Sequence, residues 1–395
     1  MGLVSRMGTV DRRSDGHHQT MSSTAANRTW SGTRRDAWPP PISTVALVFI
    51  AVTVMLGLVG LSMAEGLLAW DVRFAYLPAA EALLDGRSPY PALDDPILED
   101  QKGYVYPPQL LFALAPLTPL PVGVAAALAA AGLLALLGLT LRVLEIRDVR
   151  CYAASVLWVP AVSGVLLGNI SIPLAFLVAV AWRYRDGTWR PAWALGLAIS
   201  AKLLMWPLLV WAVVTRRSRV SVLAVAIGAL VTLAAWAIIG FDGLTGYPDL
   251  LERLSEIQSE RSYSIVGMAA TAGLPDAAGR ALTLLVGGAL LVGCVVYSRR
   301  ADDERAFTCA IAATLALSPI VWLHYLVVLL VPVAIARPRF SALWLLPVLL
   351  WVSPRPGYAE GIATFAPGIA AAIVVAVLLV RPRARQAPLV VATGG

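Results

Sequence analysis

Long apolar runs separated by arginine-rich connections are the feature that most constrains how this chain can fold. The first run, Ser43–Ala64, is about 20 residues long, which is the length that an α-helix needs to cross a bilayer. Hydrophobic residues make up 58% and charged residues 14% of the 395 residues, and the mean hydropathy is +0.75. These values exclude an ordinary soluble globular chain. The sequence therefore predicts an all-α membrane protein that crosses the bilayer many times.

The chain divides into two polar tails and one apolar body. Residues 1–42 carry six arginines among Ser, Thr, Gly and Pro and too little apolar surface to fold alone, which predicts a disordered cytoplasmic tail. Residues 43–380 form the transmembrane domain, and residues 381–395 form a second cytoplasmic tail. The first apolar run lacks a small-residue cleavage site, so it is predicted to be a retained helix and not a signal peptide.

The arginines between the apolar runs set the predicted topology, because short cytoplasmic connections are enriched in Lys and Arg. Hydropathy windows predict ten to thirteen spans, an even number if both termini are cytoplasmic. Residues 151–182 are predicted to form a hairpin whose outer tip is Gly168 and Asn169. The segment 191–214 has bases at both flanks, so we predict two half-helices that meet at Lys202.

A long acidic loop follows the first span. Residues 69–103, with Glu65 before them, carry eight acids, and Asp71 follows Trp70 at the predicted lipid–water boundary. Apolar residues from Phe74 onward recur at helical spacing, which predicts a short interfacial helix that ends at Gly86. Five prolines between residues 107 and 121 then predict a broken element, followed by a long helix over 122–141.

Charge and cysteine content exclude several kinds of function. The net charge is +7, but the arginines lie in the tails and short connections, so no nucleic-acid partner is predicted. The three cysteines, Cys151, Cys294 and Cys309, lie in or beside apolar runs without metal-ligand spacing, and we interpret them as packing residues. The acids of residues 94–100 resemble a loose metal site, but an exposed acidic loop explains them equally well, so no metal is predicted.

Several short motifs occur in order along the chain. They are Asp71, Tyr76, Gly86-Arg87-Ser88-Pro89-Tyr90, Tyr104-x-Tyr106-Pro107-Pro108, Pro116-Leu117, Ala201-Lys202-Leu203, Pro207, and the run from Ser318 to His324. In this order they resemble the membrane-embedded C-type glycosyltransferases. Within that class they are similar to family 87, the polyprenyl-phosphate-mannose-dependent α-(1,2)-mannosyltransferases, over about residues 43–380.

The resemblance implies a multi-span helical bundle of the C-type glycosyltransferase kind, with a catalytic domain over residues 43–380. It implies a protein of the cell membrane that inverts the sugar linkage as it transfers the sugar. It implies a polyprenyl-phosphate sugar as donor, with mannose as the sugar, which serves as co-substrate without a further cofactor. It also implies an acceptor that is a lipid-linked or cell-envelope glycan on the outer face.

Such a transfer needs a base for the acceptor hydroxyl and positive charge for the departing phosphate. Asp71 fits the base, because its predicted place at the outer membrane edge is where donor head group and acceptor can both arrive. The alternative is that Asp71 only caps the helix that begins near Arg73, which is a common use of Asp.

His324 and Lys202 are ionisable residues in apolar surroundings, which are functional candidates by default. His324 is the one histidine outside the N-terminal tail, and its alternative is a neutral residue whose ring nitrogens bond to the backbone. The family usually has two adjacent histidines at this position, whereas in this chain Tyr325 follows His324. This difference argues against any role that needs two imidazole rings. Lys202 either reaches an edge of the membrane or faces a polar cavity and meets phosphate.

Five further residues are candidates for substrate binding. The aromatic rings of Tyr76, Tyr104 and Tyr106 either stack on a sugar or only shape the proline-rich turn. Arg261 belongs to the second predicted external loop, 241–276, and Asn169 stands where the family often has Gln but is also typical of a turn. We expect the two external loops to face each other over one cavity that contains Asp71 and His324.

Two other functions compete with sugar transfer. A transporter or flippase of a polar lipid or sugar would also use intramembrane Lys and His and broken helices. However, the chain shows no inverted halves with matching broken spans, and a transporter does not need the long acidic loop. A non-enzymatic assembly or anchoring subunit would not need Asp71, Lys202 and His324 in costly environments.

Overall fold

The computed structural model describes residues 42–352 and 361–380 of the chain. The two predicted tails, 1–42 and 381–395, lie outside these residues except for Ile42, so their nature stays a prediction. Within the described ranges the chain is built of helices, turns and bends and contains no strand, which confirms the predicted all-α fold class.

Seventeen α-helices occur in the described residues, joined by short 3₁₀ turns and one π-helical turn. In chain order they are α1 (Ile42–Ala64), α2 (Leu77–Leu84), α3 (Gln109–Leu114), α4 (Val122–Val143), α5 (Val149–Leu157), α6 (Val159–Leu167), α7 (Ser171–Arg183), α8 (Trp189–Ala201), α9 (Pro207–Val214), α10 (Ser218–Ile238), α11 (Tyr247–Gln258), α12 (Ile265–Thr271), α13 (Asp276–Arg299), α14 (Asp303–Ala316), α15 (Leu330–Ala336), α16 (Ala342–Leu345) and α17 (Phe365–Val380).

Four of the described helices, α1, α4, α10 and α13, are long and apolar enough to cross a membrane. Helices α5 and α6, bent by 65° relative to each other, make a fifth crossing if they act as one broken span. The other apolar helices are shorter than a bilayer crossing. The number of continuous membrane-crossing helices in the described residues is therefore smaller than the predicted ten to thirteen spans. A hydropathy window counts a broken or short apolar segment in the same way as a continuous helix, which explains the difference.

The four long helices expose large apolar side chains, as lipid-facing helices do. Phe49 of α1 is 69% exposed, and Leu230 of α10 and Leu284 of α13 are similarly open. The shorter helices lie at the centre, where α6 and α7 pack against the 3₁₀ segment Leu323–Leu329. The irregular backbone is therefore surrounded by other parts of the protein. Non-helical backbone can lie at the depth of the membrane only when it is shielded from lipid in this way.

Close helix contacts in the bundle depend on small residues. Helices α8 and α10 cross where Gly196 faces Ala224, and a Cβ at Gly196 would lie 2.8 Å from the Ala224 carbonyl oxygen. Small residues at a crossing let two backbones approach closely, which is a common way to pack helices in membranes.

Local breaks in the helices occur where the sequence predicts them. Helix α8 ends at Ala201, Lys202 has extended backbone (φ −154°, ψ 107°), and α9 begins at Pro207 after a 3₁₀ turn, so the half-helices at Lys202 are confirmed. Helix α2 ends just before Gly86, which has a positive φ of 71°. The long helix predicted over 122–141 is α4, and it begins directly after Pro121.

Candidate active site

A cavity of about 530 Å³ opens beside the end of α1. Leu98 and Gln101 of the first predicted external loop line one part of it, and Leu254 and Gln258 of the second loop line another. The structure therefore brings the two loops together over one cavity, as expected. The polar groups on its wall include the candidate residues Asp71, Tyr76, Tyr106, Asn169 and His324.

Asp71 stands at the start of a π-helical turn, Val72–Tyr76, that connects α1 to α2. Its side chain makes no capping hydrogen bond to this turn, so the alternative in which Asp71 is only a helix cap is wrong. Instead the Asn169 side-chain amide donates to Asp71 Oδ2 at 2.6 Å, and the Tyr76 hydroxyl donates to the same oxygen at 3.3 Å. Single π-helical turns of this kind occur frequently at functional sites.

The surroundings of Asp71 make it a weak acid that is still ionised at neutral pH. Burial raises the pKa of its carboxyl from 3.8 to about 6, because desolvation disfavours the charged form. The hydrogen bonds from Asn169 and Tyr76 and the positive charge of Lys202 act in the opposite direction but do not cancel the effect of burial. A carboxylate with a pKa close to the working pH suits a general base.

The end of α6 holds Asp71 and Asn169 together. Gly168 ends α6 in the left-handed region, with φ 71°, and a Cβ there would lie 2.7 Å from Val72 Cγ2. The Ala69 N–H donates to the Leu166 carbonyl at 2.7 Å, which ties the approach to Asp71 onto the same turn. A glycine is therefore required both for the backbone conformation and for this close approach.

Asn169 is both a turn residue and a partner of the candidate base. Its Oδ1 accepts from the Ser171 N–H at 3.0 Å and from the Ser171 hydroxyl at 2.8 Å. With Oδ1 engaged in this way, the NH₂ group of Asn169 must face Asp71. The structure thus places Asn169 in contact with the candidate base, next to the cavity.

The tyrosines near Asp71 form an aromatic cluster in which only some members reach the cavity. Tyr76 and Tyr106 line it, with ring centroids 5.7 Å apart. Tyr104 is buried behind them, and its hydroxyl donates to the Pro107 carbonyl at 2.6 Å. The prediction that Tyr104 binds substrate is therefore not supported by its position, because packing and the proline-rich turn occupy both its ring and its hydroxyl.

Lys202 lies against the aromatic wall of the cavity. Its Nζ is 3.3 Å from the centroid of the Tyr325 ring and 5.5 Å from that of Tyr106, and both rings line the cavity. Within the described residues this buried ammonium group has no hydrogen-bond partner. A buried ammonium on aromatic faces is partly stabilised by cation–π attraction and remains able to attract an anion.

His324 lines the cavity from the 3₁₀ segment and is 5% exposed. Its ring packs edge-on against Tyr325, with centroids 5.0 Å apart. Its buried Nε2 has no hydrogen-bond partner in the described part of the chain. The alternative in which both ring nitrogens of His324 bond to the backbone is therefore wrong, because Nε2 makes no such bond to the described residues.

Arg261, like Tyr104, is a predicted site residue that does not line this cavity. It is exposed and does not line the wall. Directly after it, the Tyr263 N–H donates to the Val321 carbonyl at 2.7 Å, and Ser264 caps α12 through the Gly267 N–H. These contacts hold the segment after Arg261 in the protein while Arg261 itself remains at the surface.

Two glutamines on the cavity wall were not predicted from the sequence. The Gln101 amide donates to Gln258 Oε1 at 3.3 Å, and the Gln258 amide donates to the Leu98 carbonyl at 3.2 Å. These bonds join the first external loop to the end of α11 over the cavity. No sequence signal marks them, because the two residues are 157 positions apart and neither belongs to a motif.

Two of the acids of residues 94–100 make contacts within the described chain. Asp95 accepts from the Ile97 N–H at 2.9 Å, and Asp100 pairs with Lys102 at 3.0 Å. No group of three or more His, Cys, Asp or Glu side chains that could hold a metal ion occurs in residues 42–352 and 361–380.

Of the comparisons with known proteins, the one with protein families gives a match. No curated protein and no solved structure matches the chain. Residues 104–321, more than half of the 395 residues, match Glycosyltransferase family 87. Asp71 lies before the matched stretch and His324 lies just after it, and both residues line the cavity. The chain therefore belongs to glycosyltransferase family 87 and is a membrane glycosyltransferase.

Proposed function

We propose that this protein is an inverting mannosyltransferase that uses polyprenyl-phosphate mannose as donor. The acceptor is a hydroxyl of a lipid-linked or cell-envelope glycan, the new bond is α-(1,2), and the reaction takes place on the outer face of the cell membrane. The observation that carries this proposal is the carboxylate of Asp71, held by two side chains on the wall of a cavity with mostly apolar surroundings.

The proton of the acceptor hydroxyl goes to Asp71. Both of its hydrogen bonds within the described residues are made through Oδ2, which leaves Oδ1 available to the acceptor. As Oδ1 takes the proton, the acceptor oxygen bonds to the anomeric carbon and the bond from that carbon to the phosphate oxygen breaks. The polyprenyl phosphate leaves with the bonding electrons. One base and one displacement are sufficient for inversion, so no second carboxylate is needed.

The departing phosphate gains negative charge, which Lys202 and His324 would stabilise. The ammonium of Lys202 lies behind the rings of Tyr106 and Tyr325 and contributes positive potential to the cavity. His324 Nε2 is unpartnered in the described chain and can donate to a phosphate oxygen when it carries a proton. Fixed positive groups and donors aimed at developing charge are a major source of catalysis.

The shape of the cavity supports a donor that is part sugar and part lipid. Trp70, Tyr76 and Tyr106 line the cavity, and aromatic rings are groups on which a sugar ring can stack. Leu58 belongs to α1, a helix that is predicted to face lipid, and it also lines the cavity. A polyprenyl chain could therefore remain in the bilayer while its phosphate and sugar enter the site. No observation favours transport over transfer, and family membership favours transfer.

The test uses purified full-length protein in lipid vesicles, with radiolabelled polyprenyl-phosphate mannose and extracted membrane glycolipids. We expect label to appear in a glycolipid with a new α-(1,2) bond, identified by linkage analysis. Polyprenyl-phosphate glucose and a nucleotide-linked mannose serve as control donors and should give little product. Movement of the donor across the membrane without a new glycosidic bond, or equal use of the nucleotide sugar, would overturn the proposal.

A further inference from the structure

A second, open cavity of about 920 Å³ lies beside the C-terminal end of α4, away from the candidate active site. The first turn of α4 is next to the active-site segment, since a Cβ at Gly123 would lie 3.9 Å from the Arg73 guanidinium group. A helix of 22 residues is about 33 Å long. The second cavity therefore lies near the opposite membrane surface, and we refer to it as the α4 groove.

The wall of the α4 groove within the membrane is apolar. Ala135, Gly138 and Leu139 form it and lie on one face of α4 at helical spacing. An added Cβ at Gly138 would meet nothing within 4 Å, so the groove has room for a chain along the helix surface. Because α4 is long and apolar enough to cross the membrane, this wall lies at the depth of the lipid tails.

The end of the α4 groove is basic. Arg142 and Arg147 line it and are exposed, and Arg142 stands one turn beyond Gly138 on the same helix face. Tyr152 lines it too, and its hydroxyl donates to the Ile146 carbonyl at 2.9 Å. An apolar wall that ends in two guanidinium groups matches the order of groups in a lipid with an anionic head.

The two groove arginines have no carboxylate to neutralise them within the described residues. The acids of the same connection, Glu145 and Asp148, are paired with other arginines, Arg183 at 2.6 Å and Arg150 at 2.8 Å. The C-terminal carbonyls of α4 disfavour an anion, so the guanidinium groups would have to hold it. Two unpaired cations at one end of a groove leave a positive charge for a ligand to complement.

We infer that the α4 groove binds an anionic phospholipid of the membrane leaflet on that side. Its phosphate contacts Arg142 and Arg147 near Tyr152, and one acyl chain lies on the apolar wall. A soluble anion would not use the apolar wall, and the cationic choline or ammonium group of a zwitterionic lipid would be repelled by the two arginines. Basic pockets at the ends of membrane helices commonly recognise anionic head groups in this way.

The test is native mass spectrometry of the full-length protein in detergent, titrated with phosphatidylglycerol or phosphatidylcholine carrying identical acyl chains. We expect phosphatidylglycerol to bind about 30-fold more tightly, the ratio for two arginines near an anionic head group. The variant Arg142→Gln/Arg147→Gln should lose this preference. The control Arg216→Gln/Arg219→Gln removes two exposed arginines near the start of α10 and should keep it.

A second pair of variants tests the apolar wall separately from charge. Gly138→Leu places a side chain in the groove, where an added Cβ meets nothing within 4 Å, and should weaken binding of both lipids about tenfold or more. Gly132→Leu adds the same side chain to α4 where an added Cβ also meets nothing, but outside the groove, and should have no effect. Equal binding of the two lipids by the unaltered protein, or equal losses in test and control variants, would overturn the inference.

Discussion

Replacing Asp71 by Asn tests the proposed base with the smallest change of shape. In the native protein both hydrogen bonds to the carboxylate, from Asn169 and Tyr76, end on Oδ2. An asparagine at position 71 would direct its carbonyl oxygen to these donors, since its NH₂ group cannot accept them. The NH₂ group would then replace Oδ1, where the acceptor hydroxyl needs a proton acceptor. The fold around the site would be preserved while the base is converted into a donor.

The expected loss follows from the role of a general base, which contributes about 100-fold or more to the rate. A 100-fold loss corresponds to about 2.7 kcal/mol in the activation free energy. The hydrogen bonds to position 71 remain possible in the variant, so the stability of the protein should change by less than about 1 kcal/mol.

The assay measures initial rates of mannose transfer in vesicles, together with the thermal midpoint and the binding of the donor. We expect a lower turnover in Asp71→Asn with nearly unchanged stability and donor binding. The control is Asp85→Asn, in the same loop, where the exposed carboxylate pairs with Arg87 and does not line the cavity, so turnover should stay normal. Turnover within a few-fold of the unaltered protein in Asp71→Asn would refute the assignment of Asp71 as the base.

Three further predictions concern the groups around the proposed base. Because the pKa of the Asp71 carboxyl is about 6, the rate of transfer should decrease as the pH falls through 6. The Asn169→Ala variant loses a hydrogen bond that lowers this pKa, so its pH–rate profile should shift to higher pH. An unshifted profile would contradict the role of Asn169. Lys202→Met should raise the KM for the donor about tenfold or more without lowering the thermal midpoint, whereas the control Arg219→Met, which removes an exposed cation near the start of α10, should leave both unchanged. A large loss of stability with a normal KM would make Lys202 structural. In the same assays, Gly168→Ala should reduce turnover and stability more than Gly86→Ala. Both glycines have φ 71°, but only an added Cβ at position 168 would collide with Val72. Equal effects of the two variants would show that backbone strain alone matters.

Secondary structure at several places could be predicted from local sequence, because its causes are local. Pro121 starts α4, and the missing N–H of Pro207 together with the charge of Lys202 breaks the segment 191–214. Gly168 ends α6 because it adopts a positive φ. By contrast, hydropathy windows could not distinguish continuous spans from bent or short ones, since they average over residues and contain no information on direction.

The composition of the site was only partly accessible from sequence. Asp71, His324 and Lys202 stand out because an ionisable group in apolar surroundings is costly, and that cost is visible in the sequence. Arg261 carries the same charge as a site cation but remains at the surface, and Tyr104 is buried behind the wall of the cavity. Sequence reasoning could not make these distinctions, because the exposure of a side chain depends on which helices pack around it.

The sequence by itself determined that the chain is an all-α membrane protein and which ionisable residues must be accommodated in its apolar part, since length, hydropathy and charge are properties of the residues themselves. Only the tertiary structure decided that Asn169 holds Asp71 and that Gln101 bonds to Gln258 over the cavity. Hydrogen bonds are directional and act over about 3 Å, so they exist only after distant segments have packed in one arrangement. The contact between Asn169 and the candidate base was therefore fixed by packing across 98 positions of sequence, whereas Tyr76, the other partner, is a local neighbour of Asp71.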